Sequence, residues 1–218
     1  MKQVLVIGLG QFGFSLAESL TEKGVEVLAV DQNEAIVEKA SKIVAQAVSL
    51  DATDEEALES LEPEKRDVCV CGIGDESRDA ATICTALLRQ MGAPKVIARA
   101  GSQVQQRILR LVGAHEVVNP DREFGVRFAN QIAYENIISN VPLSTDLQLT
   151  EVKFPEPVLG KALSELKLPS KFGVVVVGIR KATSGEFVLP QGVDRISQDD
   201  RLILVSKRGA VTKMIEEA

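Results

Sequence analysis

The 218-residue sequence predicts an α/β fold: a doubly wound parallel sheet followed by a small α+β C-terminal lobe. Three observations predict it. Residues 1–120 alternate short apolar runs with helical patterns, which is the signature of consecutive βαβ units. Those apolar runs are continuous Val, Ile, Leu and Ala rather than alternating, as strands become when helices cover both faces of a sheet. After Pro142 the order changes to longer strands, a hairpin and short helices.

In the first part, strands are expected at 3–7, 26–30, 47–49, 68–71, 95–98 and 116–118. Helices fill the intervals at 13–23, 33–41, 55–61, 78–91 and 103–111. Pro120 and Asp121 precede a further helical segment, 123–140, where Phe124, Phe128 and Ile132 share one face and Val141-Pro142 stops the helix. It reads as a connector or a subunit-contact element. The C-terminal lobe opens with a strand at 148–154 that ends at Pro155-Glu156-Pro157, then a short helix at 159–166. A hairpin of 174–180 and 186–189 around a polar loop follows, then a strand at 201–206 and a last helix at 209–217. The domains expected are 1–120, a connector at 121–141, and 142–218.

Composition excludes several functions. Hydrophobic residues make up 45% of the chain and charged ones 26%, an ordinary globular balance. The net charge is −6; residues 1–140 carry 14 basic and 21 acidic side chains, and residues 141–218 carry 11 and 10. Neither half has the basic field that a phosphate backbone requires, so nucleic acid is not an expected partner. No apolar run is long enough to span a membrane, and Gly8 and Gly10 break the opening run before a signal peptide can form. Cys69, Cys71 and Cys84 are too few for a disulfide framework and read as small buried apolar residues of a cytosolic protein.

The chemistry lies in Gly8-Leu9-Gly10-Gln11-Phe12-Gly13, which follows the first strand and opens the first helix. In a Rossmann turn of this kind Gly8 allows the tight turn, Gly10 lets the backbone approach a pyrophosphate, and Gly13 permits close helix–strand packing. The helix N-terminus then presents free N–H groups and partial positive charge to phosphate. A second strand ends in Asp31, eighteen positions past Gly13, placed to accept both hydroxyls of an adenosine ribose. Asp31 also repels a 2′-phosphate, and neither Gln32 nor Asn33 supplies a cation, which disfavours NADP. NAD(H), ATP, ADP and AMP all fit.

Ligands in such folds lie beyond the carboxyl ends of the strands. Asp51, Ala52 and Thr53 follow the third strand, where the adenine edge is expected; Asp51 and Thr53 also suit capping of the next helix, which begins near Asp54 and Glu55, and the two roles are compatible. Gly72, Ile73 and Gly74 end the fourth strand, and Arg99 ends the fifth, where it can reach phosphate. Catalytic machinery is scarce. His115 and Tyr134 are the only residues of their kinds, and no Tyr-Lys pair, Walker lysine or serine elbow occurs. A nucleotide-binding protein that is not an enzyme is the expectation.

The Gly8–Gly13 turn, Asp31, Asp51-Ala52-Thr53, Asn119-Pro120-Asp121 and the smaller C-terminal lobe together resemble the RCK (KTN) family, the regulators of K+ conductance. Among them the chain is most similar to single-copy cytosolic regulatory subunits of Trk/Ktr-type potassium uptake systems. The resemblance implies an octameric ring of N-terminal lobes at the inner face of the cell membrane, beneath a membrane-embedded potassium-translocating partner. It implies an adenine nucleotide that reshapes the ring, and in some relatives a cyclic dinucleotide at the C-terminal lobe. Arg99 matches a basic family position facing phosphate. Asp121 matches an acidic position where a divalent cation can bridge subunits; capping the following helix is the alternative. The chain departs from the family at Gln11, where many Ktr-type relatives carry an arginine that reaches a neighbour's γ-phosphate. That leaves NAD(H) or AMP open beside ATP and ADP. A soluble nucleotide or redox sensor without a channel partner, and an NAD-dependent oxidoreductase, are the competing functions.

Overall fold

The computed structural model describes residues 1–144, 146–154 and 158–217. It divides into two compact units, Met1–Arg122 and Glu123–Ala218. The first holds six strands: β1 (Gln3–Ile7), β2 (Glu26–Asp31), β3 (Gln46–Ser49), β4 (Val68–Cys71), β5 (Val96–Arg99) and β6 (Glu116–Val118). All pair in parallel in the order β3-β2-β1-β4-β5-β6. The helices between them are α1 (Gln11–Glu22), α2 (Glu34–Ala40), α3 (Glu55–Glu59), α4 (Arg78–Gln90) and α5 (Gln103–Leu111).

Successive side chains on a strand point to opposite faces, so a strand covered on both sides must be apolar throughout. β1 shows the consequence. Leu5 and Ile7 enter a core with Leu28, Val30, Cys69 and Cys71 that Leu58, Leu88 and Leu109 of α3, α4 and α5 close. Val4 and Val6 enter a second core with Val27, Ala29 and Val70, closed by Ala17 of α1 and Ala40 of α2. The three thiols are buried and free. Burial pushes the Cys69 thiol up to about 12. The His115 Nδ1 accepts the Val96 N–H at 2.8 Å, fixing the start of β5.

The second unit contains a five-stranded antiparallel sheet in the order β10-β9-β11-β8-β7. Its strands are β7 (Ile137–Pro142), β8 (Leu147–Lys153), β9 (Val174–Arg180), β10 (Phe187–Val188) and β11 (Arg201–Lys207). The short helices α7 (Leu163–Leu166) and α8 (Leu168–Phe172) and the last helix α9 (Ala210–Glu217) accompany the sheet. Val152, Ile179, Leu202 and Leu204 from the sheet pack with Leu166, Leu168, Val211 and Met214 from the helices. No helix among the described residues is long and apolar enough to cross a membrane.

Three expectations change. The helix expected over 123–140 is α6 (Pro120–Ala133), and residues from Ile137 onward form β7 instead. Ile137 faces the buried Val152 across the sheet, and that pairing prevails over continued helical periodicity. The Gln131 amide donates to the Ile138 carbonyl at 2.6 Å, tying the helix end to the strand. The helix expected over 159–166 begins only at Leu163, because Gly160 takes a left-handed φ of +77°. α8 was not expected at all. The strand end expected at Pro155-Glu156-Pro157 lies outside the described residues.

One buried carboxylate organises a corner of the second unit. Asp200 accepts Lys181 Nζ at 2.9 Å and the N–H groups of Ala182 and Ser197, each at 3.1 Å. Burial alone would raise its pKa, but the Lys181 ammonium and the two N–H groups outweigh it and hold the carboxyl below the usual aspartate range. Replacing it leaves three donors unpaired, so Asp200→Ala is expected to lower stability by about 2–3 kcal/mol in denaturant titrations at pH 7. Because the folded-state pKa lies below the unfolded one, this contribution is complete above about pH 4 and is lost as pH falls through the folded value. The gap between wild type and Asp200→Ala should therefore close in acid.

Candidate functional site

The strand order reverses between β1 and β4, so the loops leaving these two neighbours turn to opposite sides of the sheet and leave a crevice. Its walls approach backbone to backbone. Gly8 has φ +85°, and a Cβ there would lie 2.8 Å from the Ile73 nitrogen. A Cβ on Gly13 would overlap the Gly8 carbonyl oxygen, and one on Gly72 would lie 3.0 Å from that same oxygen. Only glycine permits this contact. Gly10, in contrast, has nothing within 4 Å of its missing Cβ. Its open side is where a ligand can come close to the protein backbone.

The resulting cavity has a volume of about 400 Å³. From the first loop it is lined by Gly8, Gly10 and Gln11, and from the ends of β2 and β3 by Asp31, Gln32, Asp51 and Ala52. From the loop after β4 come Gly72, Ile73 and Gly74, and from the end of β5 comes Arg99. Phe12, Gly13 and Thr53, which the sequence also suggests, do not line it. Phe12 instead lies under the Arg99 guanidinium, 5.8 Å from Cζ to the ring centroid. Ile7, Asp75, Glu76, Ser77 and Ala80 line the cavity and were missed. The second glycine pair, Gly72 and Gly74, signals a loop there, but nothing local shows that a 3₁₀ turn at Asp75–Ser77 carries the chain back across the cleft before α4 starts.

The head of α1 faces this cavity without a cap. Gly10 provides no side-chain cap, no acidic residue stands in the first turn, and the first helical bond is Phe14 N–H to the Gly10 carbonyl at 2.9 Å. The N–H groups of Gln11, Phe12 and Gly13 thus lack intrahelical partners, and the positive end of this twelve-residue helix could hold an anion. Asp31 is positioned by the same turn: Oδ2 accepts the Leu9 N–H at 2.7 Å and Oδ1 the Asn33 N–H at 2.9 Å. Each oxygen keeps a further lone pair for a ligand hydroxyl. These donors and acceptors fit a nucleotide, with phosphates on the helix head and a ribose at Asp31.

The alternatives left open at Asp51 and Asp121 resolve against capping. Asp54 caps α3 by accepting the Ala57 N–H at 3.1 Å, whereas Asp51 forms a turn with the Thr53 N–H and hydroxyl. The Thr53 N–H, and after it the hydroxyl, holds the Asp51 carboxyl below its usual range. Asn119 accepts the Arg122 N–H at the start of α6, and Asp121 pairs with Arg99 at 2.8 Å. Among the described residues no group of three or more His, Cys, Asp and Glu side chains could hold a metal ion.

Comparison with known proteins agrees with this architecture. The TrkA-N domain family matches residues 4–120, and the TrkA-C domain family matches residues 149–218. The Ktr system potassium uptake protein C of Bacillus subtilis is 33% identical over 211 residues, covering 97% of this chain and 93% of that one. The solved GsuK channel shares the fold at 19% identity with a TM-score of 0.69, covering 98% of this chain and 38% of that chain. The NAD(P)-binding domain of an exopolyphosphatase-related protein from Archaeoglobus fulgidus is 26% identical with a TM-score of 0.54, covering 61% of this chain and 98% of that one.

The glycines separate packing from ligand access. Gly13→Ala is expected to cost about 2 kcal/mol or more of stability in chemical denaturation, because its Cβ must displace the Gly8 carbonyl. Gly10→Ala, with open space and an ordinary φ of −62°, should change stability by less than about 0.5 kcal/mol.

Proposed function

The chain belongs to the family of proteins built from TrkA-N and TrkA-C domains, and from that premise we propose that it is a nucleotide-binding regulatory subunit of a potassium uptake system. The carrying observation is the uncapped head of α1 over a glycine-lined cleft, with the ribose acceptor Asp31 fixed beside it. The ligand is an adenine nucleotide, NAD(H), ADP or ATP rather than NADP, since Asp31 repels a 2′-phosphate. Gly10, Gln11 and Arg99 take the phosphates, while Asp31, Gln32, Asp51 and Ala52 face the nucleoside. The protein works as a regulator rather than an enzyme, and it acts at the inner face of the membrane on a potassium-translocating partner. The likeness to the Ktr uptake protein supports that partner.

A ligand can drive a transporter only by binding one shape of the regulator better than another. Exposed apolar faces support an assembly of copies in which such shapes differ. On α6, Phe124 and Phe128 stack at 5.6 Å between ring centroids and are about half exposed; on α5, Val104 and Leu111 are 65% and 86% exposed. The octameric ring, with α6 passing movement between paired N-terminal units, is the arrangement we favour. A divalent cation shared between subunits at Asp121 belongs to the same reading.

Light scattering with ATP, ADP and NADH tests it. A species near eight times 23.5 kDa that responds to one of these nucleotides is expected. A monomer or dimer under every condition would overturn the ring. Asp31→Asn should weaken adenine nucleotide binding about tenfold or more in titration calorimetry. It should also remove nucleotide-dependent potassium flux in vesicles carrying the membrane partner. Flux that keeps its nucleotide dependence after binding is lost would sink the gating role.

A further inference from the structure

We propose that Gly101 is a positioning residue for the cleft: the space beside its α-carbon seats the Asp75 carboxyl group and so holds the Asp75–Ser77 turn as one wall. This deepens the nucleotide-binding reading and rests on it. The wall needs such a hold. Asp75, Glu76 and Ser77 all line the cleft, yet all three are exposed. They form a single 3₁₀ turn, closed by the Ser77 N–H donating to the Gly74 carbonyl at 3.2 Å. Among the described residues the ion pair of Asp75 is with Arg78, Nε to Oδ1 at 3.4 Å, three positions along the chain and exposed on both sides. Neither contact ties the turn to the rest of the unit.

Gly101 supplies what the turn lacks. A Cβ built on Gly101 would overlap Cγ and both oxygens of the Asp75 carboxyl group, so that group lies directly on the glycine α-carbon. Gly101 itself is held on every side. The Ala100 N–H before it donates to the Val118 carbonyl of β6 at 2.9 Å, and its own N–H donates to Gln105 Oε1 at 3.3 Å. Ser102 after it caps α5 by accepting the Gln105 N–H at 3.2 Å. Gln105 is buried, so this fixed point is anchored in the interior of the unit. The φ of Gly101 lies outside the left-handed region, so its neighbour's approach, not its backbone, demands a glycine. An alanine would fit the chain and evict the carboxyl group. The wall would then keep only its closing hydrogen bond and the exposed Arg78 pair. Binding groups hold their ligand well only when fixed to within about 0.5 Å, and an unseated turn is not.

Titration calorimetry on the full chain decides this, with NADH, ADP and ATP as probes. Gly101→Ala should weaken whichever of the three binds tightest by roughly fivefold or more. Asp75→Asn and Asp75→Ala both remove the charge, but only the first fills the seat. Asp75→Ala should therefore bind the same nucleotide roughly fivefold or more weakly than Asp75→Asn does. Adding Gly101→Ala to Asp75→Ala should change affinity by less than about twofold, because no carboxyl group remains to evict. If Gly101→Ala fails to fold, the two Asp75 variants carry the test by themselves. Unchanged binding in Gly101→Ala, equal binding by Asp75→Asn and Asp75→Ala, or losses that multiply in the double variant would each overturn the inference while leaving nucleotide binding intact. Failure of the unaltered chain to bind any of the three would overturn the nucleotide reading itself, and this inference with it.

Discussion

The contact that everything else depends on is the meeting of three glycines where the sheet changes direction. The Gly8 carbonyl sits against the α-carbons of Gly13 and Gly72, so the turn after β1, the first turn of α1 and the end of β4 share one close-packed point. That contact sets the height and tilt of α1 above the sheet and so aims its unpaired N–H groups into the crevice. Asp31 is drawn into the same arrangement through the Leu9 N–H, which links the end of β2 to the loop before α1 by a single hydrogen bond. Steric exclusion, more than any attraction, gives the cleft its shape.

Electrostatically the cleft works against itself. The helix head attracts anions, and the carboxylates of Asp31, Asp51, Asp75 and Glu76 repel them. Part of the repulsion is relieved internally: Asp51 is engaged with Thr53, and Asp75 faces Arg78 at 3.4 Å. Backbone dipoles are fixed, and the one lining guanidinium, that of Arg99, is paired with Asp121.

What the sequence reveals follows from how local each cause is. Val4 to Ile7, Val27 to Val30 and Val68 to Cys71 announce two-sided burial by their unbroken apolarity, and the glycine spacing announces the crevice, so strands and turn are both legible. The lining contributed by Asp75, Glu76 and Ser77 is not, because a three-residue 3₁₀ turn has no periodicity to detect. The end of α6 is hidden for another reason: after Phe124, Phe128 and Ile132 no stop signal comes before Val141-Pro142, and only the partner strand at Val152 draws Ile137 into β structure. Asp51 and Asp54 are chemically equivalent as caps, and the choice between them depends on where the chain turns by three residues. Pairing of Arg99 with Asp121, twenty-two positions apart, emerges only when β5 and the start of α6 are brought together.

The placement of the sulfur atoms has a practical side. Cys69, Cys71 and Cys84 are the only cysteines in the chain, and all three lie fully buried in one core of the first unit. The second unit has none. A thiol reagent consequently finds no target until the first unit opens, whatever the other unit does. The rate at which mass is gained under alkylation is a built-in clock for the opening of that unit alone, readable in the unmodified protein and within any larger assembly it enters.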